Sequence, residues 1–357
     1  MIQEVGIVPM LNRFAECLDR HHRLLLTTHE NPDGDGVGAM VGLAHYLRAR
    51  GKAVRIVVSP ALPAFLAFLD PGGWVEAFEP QGAHKDLAAW PDAWVLVDAS
   101  EPQRLGPMHP LFQATGASKV CLDHHLKDAR QNSQGGFDQE FTDPSASASA
   151  ELVYDLAVGR MPRPLPQAMA EALYAGVVDD TGNFRFSNST PKVHRLAAEL
   201  IEQGVAPARI YQNLYHQGRP EKLRITGRAF DGMALLGDGR YARLSLTRAD
   251  FAACGADHDD LEGLVNRPLE LRGVEVACLL HELADGRIKA SLRSRERADV
   301  NAVCRSFGGG GHRLASGAKL DGPMARAQNE MDAAVLSQLS ADVPGRGASP
   351  PATPNLG

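Results

Sequence analysis

The feature that most constrains the fold is a set of short, uninterrupted apolar runs in the first half of the chain, at 23–28, 53–58, 93–97 and 118–122. Runs of this length without polar alternation are typical of strands buried on both faces of a parallel sheet. Helix-length segments separate them, and one of these, 38–50, stops before Gly51, a residue common after helix ends. The pattern predicts an α/β fold with a doubly wound, mostly parallel sheet.

The second half of the chain carries a different pattern. Helices are predicted at 145–158, 166–178 and 191–203. A smaller mixed α/β domain follows, with a strand at 240–246 and a hairpin that pairs 273–281 with 288–293. Because a chain of 357 residues is long for one core, we predict four regions, namely a catalytic domain at 1–205, a helical connector at 206–235, a substrate-binding domain at 236–342 and a disordered Pro/Gly/Ser-rich tail at 343–357.

Composition excludes several classes of protein. The net charge of −6 argues against wholesale coating of nucleic acid, so any such contact needs a local basic patch. Five scattered cysteines without a C-x-x-C pair predict reduced thiols rather than disulfides or a zinc knuckle. The start of the chain lacks a signal-peptide pattern and no apolar run is long enough to span a bilayer. We therefore expect a soluble, cytoplasmic protein with no membrane partner.

Acidic residues and histidines follow four apolar runs, at 23–28, 93–97, 118–122 and 174–178, and these residues are His29, Asp33, Asp35, Asp98, Asp123, His124, Asp179 and Asp180. One Asp at a strand end is usually a cap or turn residue. Four such coincidences favour a shared binding site instead, because ligands bind at the carboxyl ends of strands in open α/β sheets. Close carboxylates repel unless a cation lies between them. Imidazoles with carboxylates suit divalent metals, and a metal pair is a common device for cleaving phosphate esters.

A nucleotide-cofactor fold is the competing interpretation of the first cluster. Gly34-Asp35-Gly36-Val37-Gly38 resembles a degenerate dinucleotide fingerprint. However, Asp33 and Asp35 would place negative charge where a pyrophosphate must sit. The next strand, at 54–59, also ends without an acidic residue to hold a ribose. The metal-site interpretation is favoured.

The motifs resemble those of the DHH phosphoesterase superfamily, whose defining motif is present as Asp123-His124-His125. His29-x-x-x-Asp33-x-Asp35 is similar to the first motif, Asp98 to the second, and 180–184 to the fourth. Residues 307–317 are similar to the glycine-rich signature of the DHH-associated domain. The resemblance spans about residues 10–340 and is greatest for the stand-alone oligoribonuclease/pAp-phosphatase branch.

The resemblance implies a two-manganese site, with Mg²⁺ or Co²⁺ as substitutes. His29, Asp33 and Asp98 would bind one ion. The other ion would be bound by Asp35, Asp98, His124 and Asp180, so that Asp98 bridges the pair. Three further residues would serve catalysis: Asp123 would orient an imidazole, His125 would face the scissile phosphate, and Arg104 would support the site.

A local basic patch lies at 286–319, which holds eight basic and two acidic residues, a net charge of +6. Basic runs are often only solvated surface, and that interpretation holds equally well for Arg295 and Arg297. Glycine-rich loops beside arginines can bind phosphates through backbone amides. The resemblance places six residues at the nucleotide: Ser291, Arg293, Gly309, Gly310, Gly311 and His312.

The implied activity is manganese-dependent degradation of short oligonucleotides to 5′-mononucleotides, with 3′→5′ polarity, and dephosphorylation of pAp to AMP. The substrates would be short RNA or DNA oligonucleotides and pAp. The sequence leaves the oligomeric state undecided between a monomer and a homodimer. The alternatives are a linear or cyclic dinucleotide phosphodiesterase, a RecJ-like single-strand exonuclease, a family II inorganic pyrophosphatase and, outside enzymes, an inactive nucleotide sensor.

Overall fold

The computed structural model describes residues 4–125, 136–295 and 297–341. The chain forms two compact units, Met1–Gln217 and Gly218–Gly357. The division falls inside the segment 206–235 that was predicted as a connector, and the predicted tail at 343–357 lies outside the described residues.

The first unit is built on a parallel sheet, whose described strands are β1 Arg23–Thr27, β2 Ala53–Val58, β3 Val75–Ala77, β4 Ala93–Val97, β5 Ser118–Asp123 and β6 Gln139–Thr142. Their order is β3-β2-β1-β4-β5-β6, and every neighbouring pair is parallel. The four predicted strands are confirmed to within a residue or two. The short outer strands β3 and β6 were not predicted, since their few partly polar residues give no continuous apolar run.

The helices of this unit are α1 Glu4–Asp19, α2 Gly34–Ala49, α3 His109–Ala114, α4 Ser149–Ala157, α5 Gln167–Asp180, α6 Pro191–Glu202 and α7 Pro207–Tyr215. Helix α2 begins four residues before the predicted start, because Asp33 caps it by accepting a hydrogen bond from the Gly36 amide. Helix α5 continues through Asp180. Asp180 therefore lies at the end of a helix, whereas Asp98 follows a strand.

Both faces of the sheet are buried, which confirms the doubly wound fold. Leu24 and Leu26 on β1 pack in a core cluster with residues of α1, α2, α4 and α5. Leu25, between them, packs with Trp94 and Leu96 in a second cluster on the other face. Alternate side chains of a strand point to opposite faces, so a strand covered on both sides must be apolar throughout.

Glycines on α2 permit a close approach to α5. A Cβ atom on Gly38 would lie 2.3 Å from the Ala172 carbonyl oxygen, and one on Gly34 would lie 2.6 Å from Asp179 Oδ2. No side chain fits at such distances. The close contact brings the carboxyl end of α5, with Asp180, to the amino end of α2, with Asp35.

The second unit contains a mixed sheet, whose described strands are β7 Ala234–Leu236, β8 Tyr241–Leu246, β9 Val276–Glu282, β10 Ile288–Ser294, β11 Gly310–His312 and β12 Ala315–Leu320. The strand order is β11-β12-β10-β9-β8-β7. The β8–β9 pair is parallel and the other pairs are antiparallel, including the predicted hairpin of β9 with β10. The helices are α8 Pro220–Asp231, α9 Arg248–Cys254, α10 Val300–Arg305 and α11 Met324–Ala341.

One face of this sheet is covered over β8, β9, β10 and β12 by residues of α10 and α11, which pack on Ala290 and Leu292 of β10. The opposite face is covered over β8 and β9, where Leu244 and Leu279 pack with residues of α8. Among the helices that the structure describes, none is both long and apolar enough to cross a membrane.

Candidate active site

The predicted metal ligands of the first unit lie where the strand order of its sheet reverses. From β1 the chain proceeds to β2 on one side and returns to β4 on the other. His29 and Asp33 follow β1, Asp98 follows β4, and His124 follows β5. Such a reversal leaves a crevice at the carboxyl ends of the strands, the usual ligand site of this architecture.

The first ligand cluster contains His29, Asp33 and Asp98, whose ligand atoms lie within 4.8 Å of one another. Nε2 of His29 is 3.2 Å from Asp33 Oδ2 and 3.7 Å from Asp98 Oδ2. Burial alone would lower the pKa of His29. Its hydrogen bonds to Asp33 and Asp98 outweigh burial and raise that pKa to about 10.

The second ligand cluster contains Asp35, His124 and Asp180. Nε2 of His124 lies 3.5 Å from Asp180 Oδ2 and 3.9 Å from Asp35 Oδ2. Burial raises the pKa of Asp35 well above its usual value, and the charges of Asp98 and Asp180 raise it further. The pKa of Asp180 is raised to about 6, chiefly by burial. Carboxylates crowded in this way are stabilised by a cation.

Asp98 lies between the two clusters. Its Oδ2 faces His29, whereas its Oδ1 is 3.5 Å from His124 Nε2. The residue is buried, and its backbone adopts a left-handed conformation, with φ of 62°. That conformation is uncommon for residues other than glycine and is found most often for Asn and Asp. The structure thus holds one oxygen of Asp98 toward each cluster.

His124 provides the test of whether this site suits a metal. Its Nδ1 donates to the Ala146 carbonyl oxygen at 3.3 Å, so Nε2 carries the lone pair in the neutral ring. Nε2 is buried and has no hydrogen-bond partner among the residues that the structure describes. The lone pair of Nε2 faces the carboxylates of Asp35, Asp98 and Asp180. All of these groups are acceptors, and a cation among them would bind the imidazole and the carboxylates together. The residues present fit a divalent metal.

Asp123 holds the third residue of its motif. Its Oδ1 accepts hydrogen bonds from His125 Nδ1 at 2.7 Å and from the amides of His124 and His125 at 2.8 and 3.2 Å. Asp123 was predicted to orient an imidazole, and the ring it contacts is that of His125, whereas His124 Nδ1 faces Ala146. The His125 side chain is 44% exposed, so its ring is reachable from solvent.

Arg104 lies beside the first cluster, on a 3₁₀ helix at Pro102–Met108. Its carbonyl oxygen accepts a hydrogen bond from the Glu30 amide at 2.5 Å. Burial would raise the pKa of Asp33, but the bond from His29 and the charge of Arg104 help to lower it. Arg104 is exposed.

Two residues that the sequence pattern did not indicate contact the clusters. The Ser149 hydroxyl donates to Asp98 Oδ1 at 3.0 Å, and Asn188 Nδ2 donates to the Asp180 carbonyl oxygen at 3.1 Å. Asp179, by contrast, accepts a hydrogen bond from the Gly34 amide at 2.8 Å. The available sequence signal was the serine-rich run 145–149 before α4, which is also an ordinary helix start.

The predicted substrate residues of the second unit lie on β10 and on or beside β11, the two strands that flank β12. His312 and Arg293 both pair with Ala315, and Gly310 and Ser291 both pair with Gly317. Directly opposed residues share a face of the sheet. The predicted glycine loop is therefore partly an edge strand, and a Cβ atom on Gly309 would lie 2.2 Å from the Gly317 carbonyl oxygen.

Arg293 is half-buried, and burial lowers its pKa. Its Nη1 donates to the Leu292 carbonyl oxygen at 3.0 Å, and no carboxylate of the described residues lies within 4.0 Å of it. Other members of the basic segment have structural partners. Arg287 pairs with Asp285 at 2.6 Å, and Arg295 donates to the Leu271 carbonyl oxygen at 3.2 Å. Arg295 is therefore engaged with the backbone of its own unit.

Two family models match the chain, namely the DHH family N-terminal domain at residues 23–177 and the DHHA1 domain at residues 249–341. The chain is 32% identical over 306 residues to the bifunctional oligoribonuclease and PAP phosphatase NrnA of Thermus thermophilus. This match covers 84% of each protein. It is 26% identical to the protein of the same name from Bacillus subtilis, over 87% of this chain and 93% of that one.

A crystal structure of an exopolyphosphatase-related protein from Bacteroides fragilis superimposes with a TM-score of 0.83 at 28% identity, covering 92% of this chain and 96% of that one. The chain belongs to the DHH family, as its motifs predicted. Enzymes of this family depend on a metal, and the two clusters form a possible metal site.

Proposed function

We propose that this protein is a metal-dependent phosphoesterase that degrades short oligonucleotides to 5′-mononucleotides and converts pAp to AMP. The observation that carries the proposal is the pair of ligand clusters with Asp98 between them. Relatives that match most of this chain are named as bifunctional oligoribonucleases and PAP phosphatases, which supports the substrate class.

The metals proposed are two Mn²⁺ ions, with Mg²⁺ or Co²⁺ as substitutes. His29, Asp33 and Asp98 would hold one ion, and Asp35, Asp98, His124 and Asp180 would hold the other. When bound, such a pair supplies an activated water as nucleophile and neutralises charge on the phosphate. Carboxylate-rich sets with imidazoles suit Mn²⁺ and Mg²⁺.

His125 is proposed to bind the phosphate being cleaved. Asp123 fixes the imidazole through Nδ1 and stabilises its positive form, which leaves Nε2–H to donate to a phosphate oxygen. A charged donor already in place stabilises the negative charge that develops on these oxygens. Arg104 is proposed to add a second positive charge at the exposed side of the first cluster.

The second unit is proposed to bind the nucleotide. The face of its sheet that carries Arg293 and His312 is covered over β8 and β9, whereas Arg293 on β10 is half-buried and His312 on β11 is exposed. Gly310 and Ser291 leave room there for a sugar–phosphate backbone. Arg293, Ser291 and His312 provide donors, and the amides of Gly309, Gly310 and Gly311 add backbone donors.

Product analysis tests the function. Purified protein with Mn²⁺ is incubated with 5′-labelled and, separately, 3′-labelled RNA of two to ten nucleotides, and with pAp. We expect 5′-mononucleotides from RNA, removed from the 3′ end, and AMP with phosphate from pAp. Early release of the 5′-labelled nucleotide would reverse the proposed polarity. Cleavage of cyclic dinucleotides alone would favour the phosphodiesterase alternative, and binding without turnover would favour a sensor.

A further inference from the structure

The segment 146–151, which ends in the first residues of α4, contacts both proposed ligand clusters. At the start of α4, the amides of Ser149 and Ala150 donate to Asp35 at 2.6 and 2.9 Å. The Ser149 hydroxyl donates to Asp98 Oδ1 at 3.0 Å. These groups are buried, so water does not compete for the bonds. Two proposed ligands are therefore held in orientation by one serine and its neighbour.

The same segment contacts His124 directly and is linked to Asp180 through Asn188. The Ala146 carbonyl oxygen holds His124 through Nδ1 at 3.3 Å. Asn188 acts as the link to Asp180, since its Nδ2 donates to the Ser147 carbonyl oxygen at 2.9 Å and lies 3.4 Å from Asp180 Oδ2. The Ser147 hydroxyl donates back to the Asn188 carbonyl oxygen at 2.6 Å.

An ion pair between the buried Glu151 and the partly exposed Lys192 fixes the segment itself. Glu151 Oε2 accepts the Ser147 amide at 2.8 Å, and Glu151 Oε1 lies 2.8 Å from Lys192 Nζ. Glu151 is 1% exposed, and Lys192 also pairs with Asp155 at 2.5 Å. A buried carboxylate with both oxygens engaged has little freedom to move. The turn that carries Ser147 is thereby anchored to α6 through Lys192.

We propose that Ser149 and Asn188 are positioning residues that pre-orient the metal ligands, with the Glu151–Lys192 pair as their anchor. The inference rests on the proposed metal-dependent function. Partners that orient a ligand raise metal affinity because the ligand loses less freedom on binding. Their removal commonly lowers metal affinity or activity by about 10- to 100-fold. Ser149 and Asn188 touch ligands rather than substrate, so their effect is on the metal.

The test measures metal binding directly. Mn²⁺ affinity is determined by calorimetry for the full chain and for Ser149→Ala, Ser149→Thr and Asn188→Ala, alongside the melting temperature of each metal-free protein. Ser145→Ala is the matched control, because Ser145 lies in the same turn, is exposed and donates to Asp143. We expect Ser149→Ala and Asn188→Ala to bind Mn²⁺ about 10- to 100-fold more weakly, Ser149→Thr to recover most affinity, and Ser145→Ala to match the wild type.

Wild-type affinity in both Ser149→Ala and Asn188→Ala would overturn the proposal, as would a fall in metal-free melting temperature that accounts for the loss and is not recovered by threonine. If Ser149→Ala does not fold, the Mn²⁺ affinity and the metal-free melting temperature of Asn188→Ala decide whether the proposal holds. Failure of the wild type to bind Mn²⁺ would instead contradict the proposed function, so the two failures are distinguishable.

Discussion

Asp98 Oδ1 lies 3.5 Å from Nε2 of His124. The other oxygen of the same carboxylate is 3.7 Å from Nε2 of His29, which belongs to the other cluster. In the proposed two-metal site, a carboxylate with one oxygen toward each ligand set would be shared by both ions. The left-handed backbone at Asp98, which follows β4 directly, is the local conformation that aims it into the crevice.

Replacement of Asp98 is expected to abolish hydrolysis. Asn is the informative substitution, because it keeps the shape and tolerates the left-handed backbone, whereas the negative charge shared by both clusters is lost. Turnover of a dinucleotide and Mn²⁺ stoichiometry are measured on Asp98→Asn, with circular dichroism to check the fold. A variant that retained most of the wild-type rate and both ions would contradict the bridging role.

Replacement of His124 should cause a less complete loss of activity than replacement of Asp98. His124 belongs to the second cluster, so His124→Ala removes a ligand from one proposed ion and leaves the set of the other intact. We expect a severe loss of activity at low Mn²⁺ that excess Mn²⁺ partly restores. The measurement is rate against metal concentration, and an identical dependence in wild type and variant would count against His124 as a ligand.

Arg293 should contribute to binding rather than to chemistry. Arg293→Ala removes a charge-assisted bond to substrate, which weakens binding by about 1.5–3 kcal/mol, and His312→Ala should act in the same direction. Both should raise KM for a dinucleotide with little change in kcat. Arg287→Ala is the control, since Arg287 already pairs with Asp285. An unchanged KM in both Arg293→Ala and His312→Ala would contradict the proposed surface.

Binding should depend only weakly on salt. The basic segment is short and several of its arginines have structural partners, so few phosphates are neutralised. We expect di- to pentanucleotides to be degraded faster than a strand of about 24 nucleotides at any salt concentration. Competition between the two lengths at low and high salt measures this. A preference for the long strand with steep salt dependence would favour a RecJ-like role.

His281 makes the stability of the second unit sensitive to acid. It is 5% exposed on β9, and burial, with His258 and Lys289 nearby, lowers its pKa to about 4. The unfolded chain takes up this proton near the ordinary value of about 6.5, so stability is fully present above that pH and falls as the pH drops toward 4. The loss reaches about 3 kcal/mol for a shift of this size.

The comparison of wild type with His281→Leu isolates that effect. Chemical unfolding is followed at a series of pH values between neutrality and pH 4. The free energy of unfolding should fall more steeply in the wild type, since the variant lacks the titrating ring. Parallel curves would show that His281 is not buried in its neutral form.

Sequence alone was sufficient for the parallel sheet and for the proposed ligands that cluster at its strand ends. Continuous apolar runs identify strands buried on both faces, and acids placed at their ends must meet at one edge. That argument counted Asp180 with the acids at strand ends, but Asp180 lies at the end of helix α5, and the close packing of α2 on α5 brings it to Asp35. Residue spacing does not encode such helix–helix contacts.

The supporting residues were also beyond prediction from sequence. Ser149 and Asn188 are ordinary helix-start and turn residues by type, and only their hydrogen bonds to distant acids distinguish them. The glycine-rich segment was expected as a loop, whereas Gly310–His312 forms an edge strand. Exposed glycines give no strand signal, since the pairing with β12 that orders them is tertiary.

The most direct test of the central claim is turnover of a dinucleotide and of pAp by the metal-free protein before and after addition of Mn²⁺, with pyrophosphate in parallel. We predict no hydrolysis without metal, and release of mononucleotides from the dinucleotide and of AMP and phosphate from pAp once Mn²⁺ is added. Pyrophosphate should remain nearly intact, since it offers no base or sugar to the second unit. Turnover that persists without metal, or rapid cleavage of pyrophosphate with the dinucleotide untouched, would contradict the account.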